Sequence, residues 1–205
     1  MSIYKFFLLI FVSLLLTGCT YRTIEYTEPN HADINKTTSI LIHKSKDLIW
    51  RDLIQSLGKN HYNIAKMDKA SGFIRVDYSG APETYVDCGT LTLWIETPDS
   101  KKKHSEFPAA QSKKYRRGAY NFSRKTGLSA KMNIIIEEYG PNSCLVSAKA
   151  TYTLRKKVEV LTSGKQKPTI FDDTISFYSG QAGYLDDMTC QPNGYLESSV
   201  LSLAR

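Results

Sequence analysis

Apolar and polar positions alternate with two different periods along this chain, and the switches between them mark out its elements. In K-D-L-I-W-R-D-L-I-Q-S-L-G, Ile49, Trp50, Leu53, Ile54 and Leu57 recur at helical spacing. Ser45 stands at the N-cap position, Asp47 suits the positive helix end and Gly58 supplies a stop. The pattern predicts a helix over about 46–57. Trp50 on that stripe reads as core, the alternative being a platform for a ligand. Strands are predicted at 39–42, at 62–67 and 73–78 across the turn D-K-A-S-G, and at 91–95. Residues 132–138 and 144–154 predict a hairpin across Y-G-P-N-S, with 158–161 extending the sheet and 174–178 adding an edge. Near the C-terminus Leu196, Val200 and Leu203 make a second helical stripe, over about 194–204, after Asn193 as cap. This order predicts an α+β fold: a mostly antiparallel sheet packed by an N-terminal and a C-terminal helix.

The first 22 residues follow neither period. Lys5 is the only charge before Arg22, and Phe6 to Leu16 is nearly unbroken Phe, Leu, Ile and Val. Eleven helical residues span roughly 16 Å, about half of a bilayer's hydrocarbon core of roughly 30 Å. The run suits a signal-peptide h-region and is short for a spanning helix. Leu16-Thr17-Gly18-Cys19 then resembles the lipobox of bacterial outer-membrane lipoproteins. The resemblance implies cleavage after Gly18 and a diacylglyceryl thioether on Cys19, with the new amino group often acylated. Two acyl chains hold stably where one holds only marginally. In that family Asp after the cysteine favours the inner membrane. Thr20 stands there instead, which implies the outer membrane, periplasmic face. The expected organisation is a signal peptide over 1–18, a flexible tether over 19–36 and one domain over 37–205. A tether of that length would reach at most about 55 Å.

Composition narrows the partners. The net charge is +7, and it falls by one when Lys5 leaves with the signal. A basic chain outside the cytoplasm favours anionic lipid or polysaccharide, and nucleic acid is not an expected partner. Beyond Cys19 lie Cys88, Cys144 and Cys190. In an oxidising compartment a disulfide is expected, with one thiol left over. Cys144 falls within an alternating strand, whereas Y-V-D-C-G and T-C-Q-P-N-G are turn-like, so Cys88 is paired with Cys190. Such a bond closes a loop of about 100 residues, worth roughly 4 to 5 kcal/mol in the chain-entropy model.

Catalytic constellations are absent from the sequence: there is no H-E-x-x-H, G-x-S-x-G or C-x-x-C, and no phosphate loop. His31, His43, His61 and His104 are scattered, so neither a metal site nor a cofactor is expected. A Cys88/His43 nucleophile competes with the disulfide reading and is the weaker of the two. Asp172-Asp173 and Asp186-Asp187 are adjacent carboxylates, which point apart on a strand. The unusual feature is Lys101 to Lys131, where ten Lys or Arg face the single Glu106, with Tyr115, Tyr120 and Phe122 interleaved. Lys113, Lys114, Arg116 and Arg117 are its candidate contacts to an anionic partner. The same composition also fits a long solvated loop kept soluble by its charge.

Residues 40–78 carry a second resemblance, in D-L-I-W-R-D-L-I-Q-S-L ahead of Y-N-I-A-K-M-D and G-F-I-R-V-D-Y. This order is similar to that of outer-membrane assembly lipoproteins of the BamC/NlpB type. It implies an accessory, non-catalytic module with a helix against a sheet. The second half of the chain lies outside it. The expectation is therefore a lipid-anchored envelope protein acting as a non-enzymatic accessory, scaffold or binding module, with envelope proteins as further partners. The alternative is an envelope hydrolase whose site carries no familiar motif.

Overall fold

The Y-G-P-N-S turn joins the two longest strands of the protein, β9 (Tyr120–Gly140) and β10 (Ser143–Thr162). Asn142 takes the left-handed conformation the turn requires, at φ 55°. The computed structural model describes residues 21–30, 37–60, 62–97, 99–162, 167–185 and 187–205. The expected signal peptide, Cys19, His31, His61 and Asp186 lie outside them.

Strands β9 and β10 pair antiparallel over nearly their whole length and form a ribbon roughly 65 Å long. Each outer edge of the ribbon is shared by two strands. Along β10 these are β2 (Ser39–Ile42) and β11 (Thr169–Tyr178). Along β9 they are β4 (Phe73–Gly80), with β3 (Asn63–Asp68) beyond it, and β8 (Lys113–Arg117). The result is a seven-stranded sheet. Two three-stranded sheets complete the β structure. One is β1 (Tyr21–Thr27), β6 (Thr90–Thr97) and β7 (Ser100–Pro108); the other is β12 (Gly183–Leu185), β13 (Met188–Pro192) and β5 (Val86–Asp87).

Alternation along the ribbon sends one set of side chains inward. Leu128, Ala130, Met132, Ile134 and Ile136 of β9 are buried, as are Cys144, Val146, Ala148, Ala150, Tyr152 and Leu154 of β10. Helix α1 (Lys46–Lys59) adds Ile49, Leu53 and Leu57 to this core, and helix α2 (Tyr195–Leu203) adds Leu196, Val200 and Leu201. Helix α1 runs through Gly58, and Trp50 is half-buried against the core. Gly194, at φ 73°, occupies the N-cap position of α2, while the Asn193 side chain accepts the Tyr195 N–H at 3.0 Å.

The expected α+β class does not hold. Strand makes up 63% of the described residues and helix 15%, so the fold there is an antiparallel β structure with two minor helices. The difference arises where charge masks alternation. The basic segment 101–131 forms β7, β8 and the first half of β9 rather than a loop. Tyr21–Thr27, inside the expected tether, is strand β1 and pairs with β6. Gly89 locks that pairing: at φ 74° it lies so close to the Thr27 carbonyl that any Cβ would collide with it.

Cys88 and Cys190 form a disulfide, with Cα atoms 4.0 Å apart. It joins the end of β5 to β13 and is buried on both sides. Cys144 remains a free thiol on the inner face of β10, and burial pushes its pKa up.

One buried polar cluster fastens α2 to the sheet. The Tyr152 hydroxyl donates to Glu197 Oε1 at 2.8 Å, and Ser179 Oγ donates to the same oxygen at 2.5 Å. Glu197 is 1% exposed. Burial first, and the neighbouring carboxylate second, raise the Tyr152 pKa far above its ordinary value, so the phenol stays a donor. Tyr152→Phe is expected to lower stability by about 1.5 to 3 kcal/mol, the range for a hydrogen bond to a charged group. An unchanged urea midpoint would show that the cluster contributes nothing.

Candidate functional site

Strand geometry divides the four candidate basic residues between two faces. Lys113 and Tyr115 of β8 turn inward: Lys113 Nζ lies 4.9 Å from the Phe107 ring centroid, and Tyr115 stacks on Phe122 at 5.0 Å. Lys114 and Arg116 turn to the outer face, where Arg116 Nε donates to Gly118 O at 3.0 Å. Arg117 shares the inward parity but is exposed at the end of the strand. The quartet is therefore not one site.

The outer face gains its charge from neighbouring strands. Register places Lys125 and Lys131 of β9, and Lys149, Arg155 and Lys157 of β10, on the same face as Lys114 and Arg116. Across these three strands the only outward carboxylates are Glu137 and Glu159, so seven cations stand against two anions. Glu159 is held below the usual carboxylate range by Lys157, 3.0 Å away, with Lys125 and Lys114 adding to the effect. On the adjoining β11, Asp172 accepts two bonds from Arg155, at 2.8 and 2.6 Å. The face is otherwise open: its Lys, Thr, Ser and Asn side chains are exposed or half-buried.

The inner face at the same end of the ribbon carries a cleft of about 530 Å³. Its walls are Tyr115, Phe122, Val158, Val160, Phe171 and Leu185, with Arg124 and Lys156 among them. Lys156, almost wholly buried, pairs with Asp187 at 2.6 Å and Asp173 at 3.2 Å. Asp172 and Asp173 thus do point apart, one to each face. Arg124 is 6% exposed and donates to the Ala109 carbonyl at 2.5 Å. It also contacts Met188 Sδ at 3.0 Å, and its Nε has no partner among the described residues. Burial lowers its pKa. The described lining of the cleft consists of ion pairs and apolar walls.

The disulfide also occupies Cys88, the one thiol weighed as a nucleophile with His43. His43 Nδ1 instead lies 3.1 Å from Ser143 Oγ on an exposed edge. Lys125 lay in the basic segment read from the sequence, but Lys149, Arg155 and Lys157 were missed, because only pairing places them on the same face as Lys114 and Arg116. Their signal was present as cations at odd positions along β10.

Fold and site together define a predominantly antiparallel β protein with one open, cationic sheet face. No family model, curated protein or solved structure matches the chain.

Proposed function

We propose that this is a lipid-anchored envelope protein and a non-enzymatic binding module, working as an accessory or scaffold at the outer membrane, whose open sheet face contacts anionic lipid or polysaccharide. The observation that carries the reading is the excess of seven cations over two carboxylates on the outer positions of β8, β9 and β10. Exposed cations near an anionic membrane surface contribute about 1 kcal/mol each. The Leu16–Cys19 sequence and the partial likeness of residues 40–78 to assembly lipoproteins support the anchor and the accessory role.

Strand β1 modifies how the anchor works. Only Thr20 separates Cys19 from Tyr21, so about 7 Å of chain links the acylated residue to the folded strand. Tyr21 pairs with Glu96, and Glu96 pairs with Lys101 of β7, so β7's run of lysines begins at the anchored end of this small sheet. A domain held this closely meets the headgroups directly rather than standing off on a long tether.

Cys19→Ala is the test of the anchor. Labelled palmitate is expected to enter the wild-type protein and not the variant, and the variant should appear uncleaved or in the soluble fraction. Normal processing and full membrane retention of Cys19→Ala would reject lipidation at this residue. Sedimentation of the non-lipidated mature protein with vesicles tests the surface. Binding should require anionic lipid or added anionic polysaccharide and be absent with purely zwitterionic vesicles.

A further inference from the structure

A second cleft, of about 580 Å³, opens where β3 begins at Asn63 and leaves the far end of the β4 edge uncovered. Four tyrosines meet there from four separate segments: Tyr62, Tyr78, Tyr85 and Tyr195. The Tyr78 and Tyr85 rings lie 4.5 Å apart, edge to face at 69°, and Tyr195 lies 5.9 Å beyond Tyr85, tilted by 38°. The rings therefore form a stepped wall rather than a closed apolar hole. Burial holds the hydroxyls of Tyr62 and Tyr78 above their ordinary pKa, so they remain neutral donors and acceptors.

The remaining lining is rich in acceptors. Asp77 Oδ1 is buried with no hydrogen-bond partner among the described residues. Ser199 and Ser202 spend their protons on helix carbonyls, at 2.6 and 2.7 Å, which leaves their lone pairs available. Asn60 spends an amide proton on the Ser56 carbonyl at 2.8 Å. The charged side chain among the described lining residues is Asp77, a carboxylate that disfavours an anionic ligand, in contrast to the outer sheet face. Oδ1 itself is enclosed, but Asp77 is only half-buried as a residue, so its Oδ2 is the acceptor a ligand hydroxyl can reach. Tyr, Ser and Asn together also provide broad contact area with adaptable hydrogen bonding at low entropic cost.

We propose that this cleft binds a neutral saccharide, with the apolar face of a sugar ring against the Tyr85 and Tyr195 rings and a sugar hydroxyl donating to Asp77. A volume near 580 Å³ falls within the usual range for small-molecule sites, about 300 to 1,000 Å³. The ligand must donate several hydrogen bonds, present C–H surface and carry no negative charge. Oligosaccharides meet all three conditions.

The test uses the full mature protein, with saturation-transfer NMR and calorimetry. The probes are maltose, cellobiose, lactose and the β-1,4-linked dimer of N-acetylglucosamine, with choline as a cationic control. At least one disaccharide should bind. Tyr195 is 56% exposed, so Tyr195→Ala should fold normally and weaken that binding by about tenfold or more, equivalent to about 1.4 kcal/mol. Asp77→Asn keeps the shape of the site and should weaken it as well. Lys114→Glu, on the open face of β8, should leave it unchanged and so separates this site from the anionic one. The proposal is overturned if no disaccharide binds, or if binding survives both cleft substitutions. It is also overturned if only choline binds and Tyr195→Ala abolishes that, which would make the cleft a cation site.

Discussion

Reduction of the Cys88–Cys190 bond is expected to cost this protein about 4 to 5 kcal/mol of stability in the chain-entropy model. The bond spans 102 residues, so opening it returns much freedom to the unfolded chain. Domain stabilities are typically about 5 to 15 kcal/mol, so the loss takes a large share of the total. For a chain of this size the melting temperature should fall by on the order of 10 to 15 °C. The position of the bond adds to the expectation. It fastens β13, whose five residues are all buried, to the short strand β5. Without it, β13 is held by backbone pairing to β5 and β12 and by contacts such as Gln191 Nε2 donating to Asn30 O at 2.7 Å. Cys144 offers no ready substitute, because its thiol is buried on the ribbon's inner face and its raised pKa keeps it protonated. The paired variant Cys88→Ala/Cys190→Ala should reproduce the loss without reductant. Equal urea midpoints for the oxidised, reduced and doubly substituted proteins would show that the bond closes a loop already ordered in the unfolded state.

Where apolar residues alone occupied one face, the sequence was legible. Ile49, Leu53 and Leu57 repeat every four residues and are all fully buried in α1. Gly140 to Ser143 made the ribbon's turn readable, and the pairing of Cys88 with Cys190 holds although Cys190 lies in strand β13 rather than at a turn. The fold class was not legible, for a definite reason. In β7 the run Lys101 to His104 is exposed on both faces, so no period of two appears in its hydropathy. In β8, β9 and β10 some inward positions are cations: Lys113 against an aromatic ring, Arg124 on a backbone carbonyl, Lys156 between two carboxylates. Their burial is made affordable by tertiary partners that no local window contains, and pairing overrides the weak local preference for strand. Nor was the tyrosine cleft legible, since its aromatic residues come from positions 62, 78, 85 and 195. The open cationic face was half legible. Its composition was visible, but which cations share a side depends on register.

That register leads to the second large effect. Reversing Lys114, Arg116, Lys125 and Lys149 to Glu is expected to weaken binding of the non-lipidated protein to anionic vesicles by several kcal/mol, at about 1 kcal/mol per basic residue removed and further repulsion from each new carboxylate. All four are exposed on the same face, and none lies within 4 Å of a carboxylate among the described residues, although Lys114 and Lys125 act on Glu159 from further away. Each change should therefore alter folding stability by no more than about 0.5 kcal/mol. The loss should shrink as salt rises, because exposed charges are screened over about 8 Å at physiological ionic strength. Reversing Lys113 and Arg117 instead supplies the comparison: the net charge changes in the same direction, but neither side chain has the outer-face parity. If the sheet face is the contact, this pair should cost much less per residue than the outer four. Equal losses per residue would assign binding to overall charge, and no loss from the outer four at low salt would leave the face as a solubilising surface.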